Sequence, residues 1–376
     1  MDSLLTPVIF LGPSGPSAVE QIVHAGQRAI TLDLLTRLLE ASGFATPIVA
    51  TSDPETTKLL SDWPVIVDPD PPAFHFGHRL ADLIRRFHIQ IPFYIGGGSA
   101  PLLTPVDLAR IRDLATSDDD IIVANNFFSV DFAAFNPGRA IESLEPPTID
   151  NDLGFLLHRQ AGLRNVALDR TIATQFDVDT PIDLAILAVC PDLGLHTREF
   201  VRACDFDLSR LHSAMRCFVD GSKELLVAGR VGSHALAQLE TEFACRKRVL
   251  SEERGMRASG REARGEVRSV LGFMVSELGP HRFFDAVAEM CDVAIIDTRV
   301  IFNHLLLNPT ASDRFNSDLL AAESIQDPWL AEFTAAARDA PVPVLLGGHT
   351  LVCGGLWALA DAAWREHDLE VAAGAD

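Results

Sequence analysis

The first third of the sequence alternates regularly between short apolar runs and longer segments with helical periodicity. Apolar runs occupy residues 4–11, 47–51, 65–67, 91–95 and 120–124, and we predict that each is a buried strand. Strands that alternate with helices form a parallel sheet with right-handed crossover connections. We therefore predict a doubly wound, mostly parallel, Rossmann-like α/β fold for this part of the chain.

A second round of alternation begins later in the chain. It weakens after residue 125 and resumes with apolar runs at 225–231, 248–251, 293–296 and 342–346. A chain of 376 residues is long enough for two domains. We place the first domain at residues 1–193 and a second α/β domain, of unknown type, at 194–376.

The composition excludes several classes of partner. The formal net charge of −21 repels phosphate backbones, so we expect no nucleic acid partner. The 6 cysteines show no CxxC spacing, which is typical of reduced thiols in a cytosol. No apolar run reaches the ~18 residues of a membrane helix, and the N-terminal run reads as a strand rather than a signal peptide. We expect a cytoplasmic protein without a membrane partner.

The stretch YIGGGSAPLLTPVDL, residues 94–108, passes from a strand through a glycine-rich turn into a helix. Ligands of doubly wound sheets bind beyond the carboxyl ends of the strands. Three consecutive glycines allow a ligand to approach the backbone closely, so Gly97, Gly98 and Ser99 are candidate phosphate or ribose contacts. A tight turn without a ligand is the alternative.

Polar residues after other strands add candidates at the same edge. Asn125, Asn126 and Asp131 follow the fifth apolar run. Asp152 lies in an acidic turn, and it either contributes to the site or caps the helix that begins at residue 153. Asp177 and Asp179, in FDVDTPIDL, have the same two interpretations, although a cap needs only one of them.

Two of these segments together resemble nucleotidyltransferases of the molybdenum-cofactor guanylyltransferase and 2-phospholactate guanylyltransferase type. The stretch at 94–108 is similar to their "GDxPLLTPEDL" segment, and FDVDTPIDL is similar to "DIDTPEDL". The segment GPSGPS…HAGQRAITLDLLTRLL is similar to their glycine-rich loop and the helix after it. The resemblance covers about residues 4–190 and implies a nucleotidyltransferase-like fold that binds a nucleotide and Mg²⁺.

The resemblance also implies roles for individual residues, with two departures from the family pattern. Asp177 and Asp179 match the closing motif and would be catalytic and hold Mg²⁺, with Asp131 or Asp152 as further carboxylates. The aspartate of "GDxP" is replaced by Gly97, Gly98 or Ser99, and Arg28 stands where the family has a lysine. The nucleotide would also contact the first loop, at Gly12, Ser14 and Gly15.

The second half carries its own set of charged residues at predicted strand ends. If these strands are parallel neighbours, the side chains converge on one edge and suit a small anionic metabolite. Structural ion pairs, Asp297 with Arg299 and Glu252 with Arg254, are the alternative. The candidate anion site comprises Arg230, His234, Arg254, Asp297, Arg299 and His349.

Three interpretations of function remain open from the sequence. The first is a nucleotidyltransferase-like enzyme that binds a nucleotide or nucleotide-linked metabolite with altered metal ligation. The second is an inactive nucleotide-binding module that serves a C-terminal domain for a small anionic metabolite. The third is a scaffold that forms homo-oligomers through a phenylalanine-rich surface at 126–128.

Overall fold

The computed structural model describes residues 4–373, which form two compact units. The first unit contains the chain up to residue 15, residues 24–177 and residues 194–200. The second contains residues 16–23, residues 178–193 and the chain from residue 201 onwards. By this division, residues 178–193 group with the second half of the chain rather than with the first. That residues 1–193 and 194–376 are separate domains remains a prediction.

The first unit is built on a seven-stranded, mostly parallel sheet with the order β3-β2-β1-β4-β6-β5-β7. Only β6 runs antiparallel to its two neighbours, β4 and β5. The strands are β1 (Leu5–Phe10), β2 (Ile48–Ala50), β3 (Ile66–Asp68), β4 (Ile91–Gly96), β5 (Ile121–Ala124), β6 (Phe132–Asn136) and β7 (Arg164–Ala167).

Helices cover both faces of this sheet. As a consequence, alternate strand residues are buried on opposite sides. On β1, Leu5 and Ile9 belong to one apolar cluster, whereas Val8 and Phe10 belong to another. The predicted doubly wound α/β fold is confirmed. The helices that begin in this part of the chain are α1 (Ala18–Glu40), α2 (Pro54–Leu59), α3 (Phe76–Arg86), α4 (Pro105–Thr116), α5 (Leu153–Arg159) and α6 (Ile172–Gln175).

The segment between β5 and α6 differs from the sequence prediction. The sequence pattern predicts no strands or helices between residue 125 and the helix at 153, whereas the structure contains β6 there, β7 after α5, and α6 at Ile172–Gln175. Short 3₁₀ turns lie at Gly138–Ser143 and Asp150–Asp152. Strand β6 escapes detection because its sequence, FAAFN, is too short to show a period, and its antiparallel pairing depends on distant residues.

The second unit is built on a four-stranded parallel sheet with the order β11-β10-β8-β9, which confirms the predicted second α/β region. Its strands are β8 (Glu224–Gly229), β9 (Arg246–Ser251), β10 (Val293–Asp297) and β11 (Val344–Gly347). The remaining helices are α7 (Pro181–Val189), α8 (Leu195–Ala203), α9 (Ser209–Phe218), α10 (Ser233–Glu242), α11 (Val270–Leu278), α12 (Pro280–Ala288), α13 (Arg299–His304), α14 (Ala311–Asp318), α15 (Pro328–Arg338) and α16 (Gly354–Ala373), with 3₁₀ turns at Ala322–Ser324 and Thr350–Val352.

Both sheets have one point at which the strand order reverses. In the first sheet the chain passes from β1 to β2 and β3 on one side, and then to β4 on the other. In the second sheet it passes from β8 to β9, and then to β10 on the opposite side of β8. The carboxyl ends of the strands that flank such a reversal form a crevice. Within residues 4–373, no helix has the length and apolar character needed to cross a membrane.

Candidate functional site

The crevice of the first sheet is bordered by the ends of β1 and β4. Strand β1 leads to the exposed loop at residues 12–14, and β4 leads to the glycine-rich turn. The turn is closed by a hydrogen bond from the Ser99 N–H to the Gly96 carbonyl (3.1 Å). Gly98 has a φ of 88°, in the left-handed region that favours glycine. The turn therefore lies at the carboxyl end of a central strand, as the sequence predicts.

Gly97 is fixed as glycine by the close approach of β1. A Cβ atom at this position would lie 2.8 Å from the Phe10 carbonyl oxygen and 2.7 Å from Leu11 Cδ1. The backbone of β1 cannot move away without breaking its pairing with β4. The aspartate found in the nucleotidyltransferase motif consequently does not fit at residue 97.

We expect Gly97→Ala to destabilise the first unit by about 1–3 kcal/mol, the usual penalty for overpacking a filled site. Gly12→Ala is the matched control, because a Cβ at Gly12 would have no neighbour within 4 Å. Urea denaturation followed by far-ultraviolet circular dichroism measures both. Equal midpoints for the two variants would contradict the packing argument.

The two motifs that carry the family resemblance meet in space. Ser99 and Asp177 form an isolated antiparallel β-bridge, so the closing motif runs beside the glycine-rich turn. Ser99 is buried and Asp177 is half-buried. The structure therefore brings these two predicted site residues together, although they are far apart in the sequence.

A polar cluster that includes Tyr94 adjoins the turn. The Tyr94 hydroxyl donates a hydrogen bond to Asp150 Oδ2 (2.7 Å). Burial, followed by the charges of Asp150 and Asp131, raises the pKa of Tyr94 well above its ordinary value, so the phenol remains a donor. The Gly96 N–H donates to the Asp131 carbonyl (2.9 Å). Asp150 and Tyr94 were not among the sequence candidates. The acidic turn at 148–152 was the only signal for Asp150.

Asn125 has a structural role between β5 and β6. Its amide nitrogen donates to Asp131 Oδ2 (2.6 Å) and to the Thr174 carbonyl (3.2 Å), and its oxygen accepts from the N–H groups of Asp131 and Phe132. These bonds use the full hydrogen-bonding capacity of the side chain. Asn125 thus holds Asp131 in place. The Asn126 side-chain oxygen accepts a local bond from the Phe128 N–H.

The first loop offers less to a ligand than the sequence suggests. Arg28 pairs with Glu55 (2.8 Å) and Asp53 (3.3 Å), so phosphate binding would require it to leave two carboxylates. The Ser14 hydroxyl donates only to the neighbouring Gly15 carbonyl (3.2 Å). The buried His24 ring contacts the Gly12 carbonyl at 2.8 Å and was missed, because a single histidine within a helix carries no pattern.

The predicted metal carboxylates do not form a group of three among the described residues. Across residues 4–373, no three His, Cys, Asp or Glu side chains are grouped to hold a metal ion. Asp177 belongs to the first unit and the exposed Asp179 to the second. Asp152 occupies the N-cap position of α5 but makes no side-chain capping bond. The cap interpretation is wrong for Asp179, because Thr180 and Asp183 cap α7. Metal binding by Asp152, Asp177 and Asp179 stays a prediction.

A separate cavity of about 500 Å³ lies beyond β3, away from these motifs. Its buried cation, Arg79, donates to Asp68 (2.7 Å) and Asp70 (2.8 Å), and Asp82 lies 3.7 Å away. Because carboxylates surround the guanidinium, this cavity has little attraction for an anion.

In the second unit, the predicted charged residues are paired differently from expectation. Asp297, fully buried at the end of β10, accepts from Arg230 Nε (2.5 Å) and Nη2 (3.1 Å). Arg299 instead forms a two-point pair with Asp318, at 2.8 and 2.6 Å. The predicted pair of Asp297 with Arg299 is therefore wrong, and Arg299 is committed to a structural partner rather than to the edge of the sheet.

The second predicted pair is also wrong, and this leaves Arg254 at the edge of the sheet. Glu252 accepts from the Ser269 hydroxyl and from the Val270 N–H, not from Arg254. The Arg254 guanidinium instead lies over Gly232, where a Cβ would be 2.7 Å from its Nη1 atom. His234, in the first turn of α10, is exposed.

His349 and Cys353 lie beside these arginines at the end of β11. Burial and the charge of Arg230 lower the pKa of His349 to about 4, so the imidazole is neutral at pH 7. The Cys353 sulfur lies 3.7 Å from His349 Nδ1. Burial raises the pKa of Cys353 to about 11, and the pair therefore does not supply a thiolate at neutral pH.

No protein-family model and no curated protein matches this chain. Among solved structures, CMP:2-keto-3-deoxy-manno-octonic acid synthetase complexed with CTP is similar, with 16% identity over 49% of this chain and 97% of the other, and a TM-score of 0.38. A cytidylyltransferase from Leptospira borgpetersenii has 16% identity over 53% and 93%, with a TM-score of 0.41. A Mycobacterium tuberculosis protein in complex with manganese has 19% identity over 54% and 100%, with a TM-score of 0.33. At such low TM-scores, these similarities do not establish an activity for this chain.

Proposed function

We propose that the first unit binds a nucleoside triphosphate or a nucleotide-linked metabolite in the crevice between β1 and β4 and transfers a nucleotidyl group. The observation that carries this proposal is the position of the glycine-rich turn. It stands at the reversal point of a doubly wound sheet and bridges to Asp177 through Ser99. Crevices of this type are the usual nucleotide sites of such sheets.

Backbone groups of the turn would make the first contacts with the ligand. N–H groups at residues 97–99 can approach phosphate or ribose oxygens because no side chain projects from the two glycines. The Ser99 hydroxyl oxygen lies 3.0 Å from the position that a Cβ on Gly96 would take. The hydroxyl group therefore lies against the backbone of the turn. The ligand would therefore be held mainly by main-chain donors.

The oxygen ligands near the turn fit Mg²⁺ bound largely through water and phosphate. Magnesium in nucleotide sites commonly takes only one or two carboxylates, and the phosphates and waters complete its shell. Asp177 would supply such a carboxylate, and Asp131, held by Asn125, would supply another. Bound there, Mg²⁺ would offset the phosphate charge and orient the phosphate that is attacked.

The test is a thermal-shift screen of the full chain with each of the four common nucleoside triphosphates, with and without Mg²⁺, followed by a pyrophosphate-release assay. A ligand at 100 times its Kd adds roughly 2.7 kcal/mol of stability. Stabilisation by a triphosphate, with pyrophosphate release in the presence of an acceptor, is the expected result. A screen in which no nucleotide stabilises the chain would contradict the proposal.

We expect Asp177→Asn to abolish the Mg²⁺-dependent part of nucleotide stabilisation while the chain keeps its fold, because the half-buried carboxylate is exchanged for a neutral side chain of the same shape. The control is Asp169→Asn, an acid of the same unit that forms an exposed pair with Arg110. Unchanged nucleotide binding by Asp177→Asn, with or without a loss of stability, would assign Asp177 a structural role only.

The second candidate function is nucleotide binding without turnover. It is favoured by the packing at Gly97, which excludes a carboxylate side chain at residue 97, and by the pairing of Arg28 with two acids. Thermal stabilisation by a nucleotide without pyrophosphate release from any combination of the triphosphates and sugar phosphates would establish this alternative.

A further inference from the structure

The crevice of the second sheet lies between the ends of β8 and β10. An inference about this crevice does not depend on the nucleotide site proposed for the first unit. All four strands are parallel, so their carboxyl ends lie on one edge. The loop after β8 runs from Arg230 to Gly232, and the residue that ends β10 is Asp297. Ligands of open parallel sheets bind at such a position.

The floor of this crevice is closely packed, and its charges are paired. Gly229, with a φ of 118°, brings the β8 loop against β10, and a Cβ there would lie 2.5 Å from Asp297 Cβ. The two-point pair with Arg230 neutralises the Asp297 carboxylate. The same carboxylate accepts hydrogen bonds from the backbone N–H groups of Arg230 and Arg299. The buried acid therefore does not repel an anion that enters above it.

Arg254 supplies a positive charge that the residues of this floor do not neutralise. Within residues 4–373 it forms no ion pair or hydrogen bond, and its side chain is exposed. The three following arginines of the same segment all have acidic partners: Arg257 with Glu262, Arg261 with Glu253 and Arg264 with Glu266. Among the described arginines of residues 254–264, Arg254 is therefore the one without an acidic partner.

The groups that surround Arg254 are suited to an oxyanion. The guanidinium lies directly over Gly232, where a side chain would block it. The neutral His349 ring and the protonated Cys353 thiol carry no negative charge. The charge of Arg254 is close enough to lower the pKa of both groups. Helix α10 begins at Ser233 after Gly232, without a side-chain cap, so its first N–H groups add donors to those of Arg254.

We propose that the crevice between β8 and β10 binds the oxyanion group of a small molecule, a phosphate or a carboxylate, through Arg254. The neutral Arg230–Asp297 pair forms the floor, and His349 provides a neutral hydrogen-bonding wall. Arg299, one of the six residues expected from the sequence to form this site, does not take part, because both of its terminal nitrogens are bonded to Asp318.

Isothermal titration of the full chain tests this inference, with inorganic phosphate and succinate as separate probes at matched ionic strength. Wild-type protein is expected to bind at least one probe, and the stronger of the two identifies the class of oxyanion. Arg254→Ala should weaken binding tenfold or more, because a charged hydrogen bond is lost. Arg257→Ala, which removes a paired arginine from the same segment, should leave binding unchanged.

Three results would overturn the proposal: no binding of either probe by the wild-type chain, unchanged binding by Arg254→Ala, or an equal loss in Arg257→Ala. Arg254 is exposed and makes no structural bond, so its replacement should not disturb the fold. Arg254→Ala should leave the stabilisation by nucleoside triphosphates unchanged, because Arg254 belongs to the second unit and the nucleotide crevice to the first. The outcome is therefore separate from that of the nucleotide proposal.

Discussion

Arg299→Ala is expected to lower the free energy of unfolding of the second unit by about 3–5 kcal/mol, the cost of leaving a buried charge without its partner. The Asp318 side chain is fully buried, and Arg299 donates to both of its oxygens. Desolvation already raises the pKa of Asp318 above its ordinary value despite the attraction of Arg299. Removing the guanidinium should raise that pKa further and force the carboxyl group to take up a proton.

Urea denaturation followed by tryptophan fluorescence measures this effect, because Trp329, Trp357 and Trp364 all lie in the second unit. Arg338→Ala is the matched control. It breaks pairs with Glu323 and Asp339, whose side chains are 74% and 62% exposed, and should cost less than about 1 kcal/mol. A similar loss in both variants would show that the Arg299–Asp318 pair contributes no more than a surface pair.

The double variant Arg299→Met/Asp318→Leu separates charge from packing. It removes both buried charges and keeps apolar volume at the same place. Such replacements of buried ion pairs are often neutral or stabilising. We therefore expect the double variant to recover most of the stability lost in Arg299→Ala. A double variant as unstable as Arg299→Ala would indicate that the geometry of the pair itself is required.

The stability of the second unit should fall as the pH rises from about 4 to about 8, because of Asp183. This side chain is fully buried in the capping box of α7, where Oδ2 accepts from Thr180 and Oδ1 has no partner among the described residues. Burial and the nearby Asp179 carboxylate raise the pKa of Asp183 to about 8. An aspartate in the unfolded chain ionises near 3.9, so between these values only the folded chain holds the proton.

The sign follows from proton linkage. Where the folded state binds more protons than the unfolded state, stability decreases with pH, here by up to about 1.4 kcal/mol per pH unit. Below pH 4 both states are protonated and above pH 8 both are ionised, so the contribution is constant outside this window. Asp183→Asn should remove this slope, because the amide does not titrate.

Urea denaturation at a series of pH values from 4 to 8 measures the slope. Asp107→Asn is the control, since Asp107 occupies the equivalent position in the capping box of α4, whose N-cap Thr104 is exposed. That variant reports the loss of a capping bond without the burial of Asp183. Parallel pH profiles for the wild type and Asp183→Asn would show that Asp183 does not carry the proton.

The local pattern of this sequence determines most of its strands, the start of α4 and the glycine-rich turn. The apolar runs at 4–11 and 91–95 become β1 and β4, because a continuous apolar run is stable only when it is buried on both faces of a sheet. Thr104 and Asp107 stand at capping-box spacing and form that box. These features depend on neighbours within a few residues, so the sequence alone is sufficient to predict them.

Tertiary structure alone decided which charges meet. Asp297 is two residues from Arg299 but pairs with Arg230, and Arg299 pairs with Asp318, which carries no signal in the sequence. Asp150, rather than Asp152, reaches Tyr94. Ion pairs and hydrogen bonds act over a few ångströms in space, whereas spacing along the chain fixes such distances only within one helix or turn. Where the partners lie on different strands and helices, the packing of the sheets determines the site.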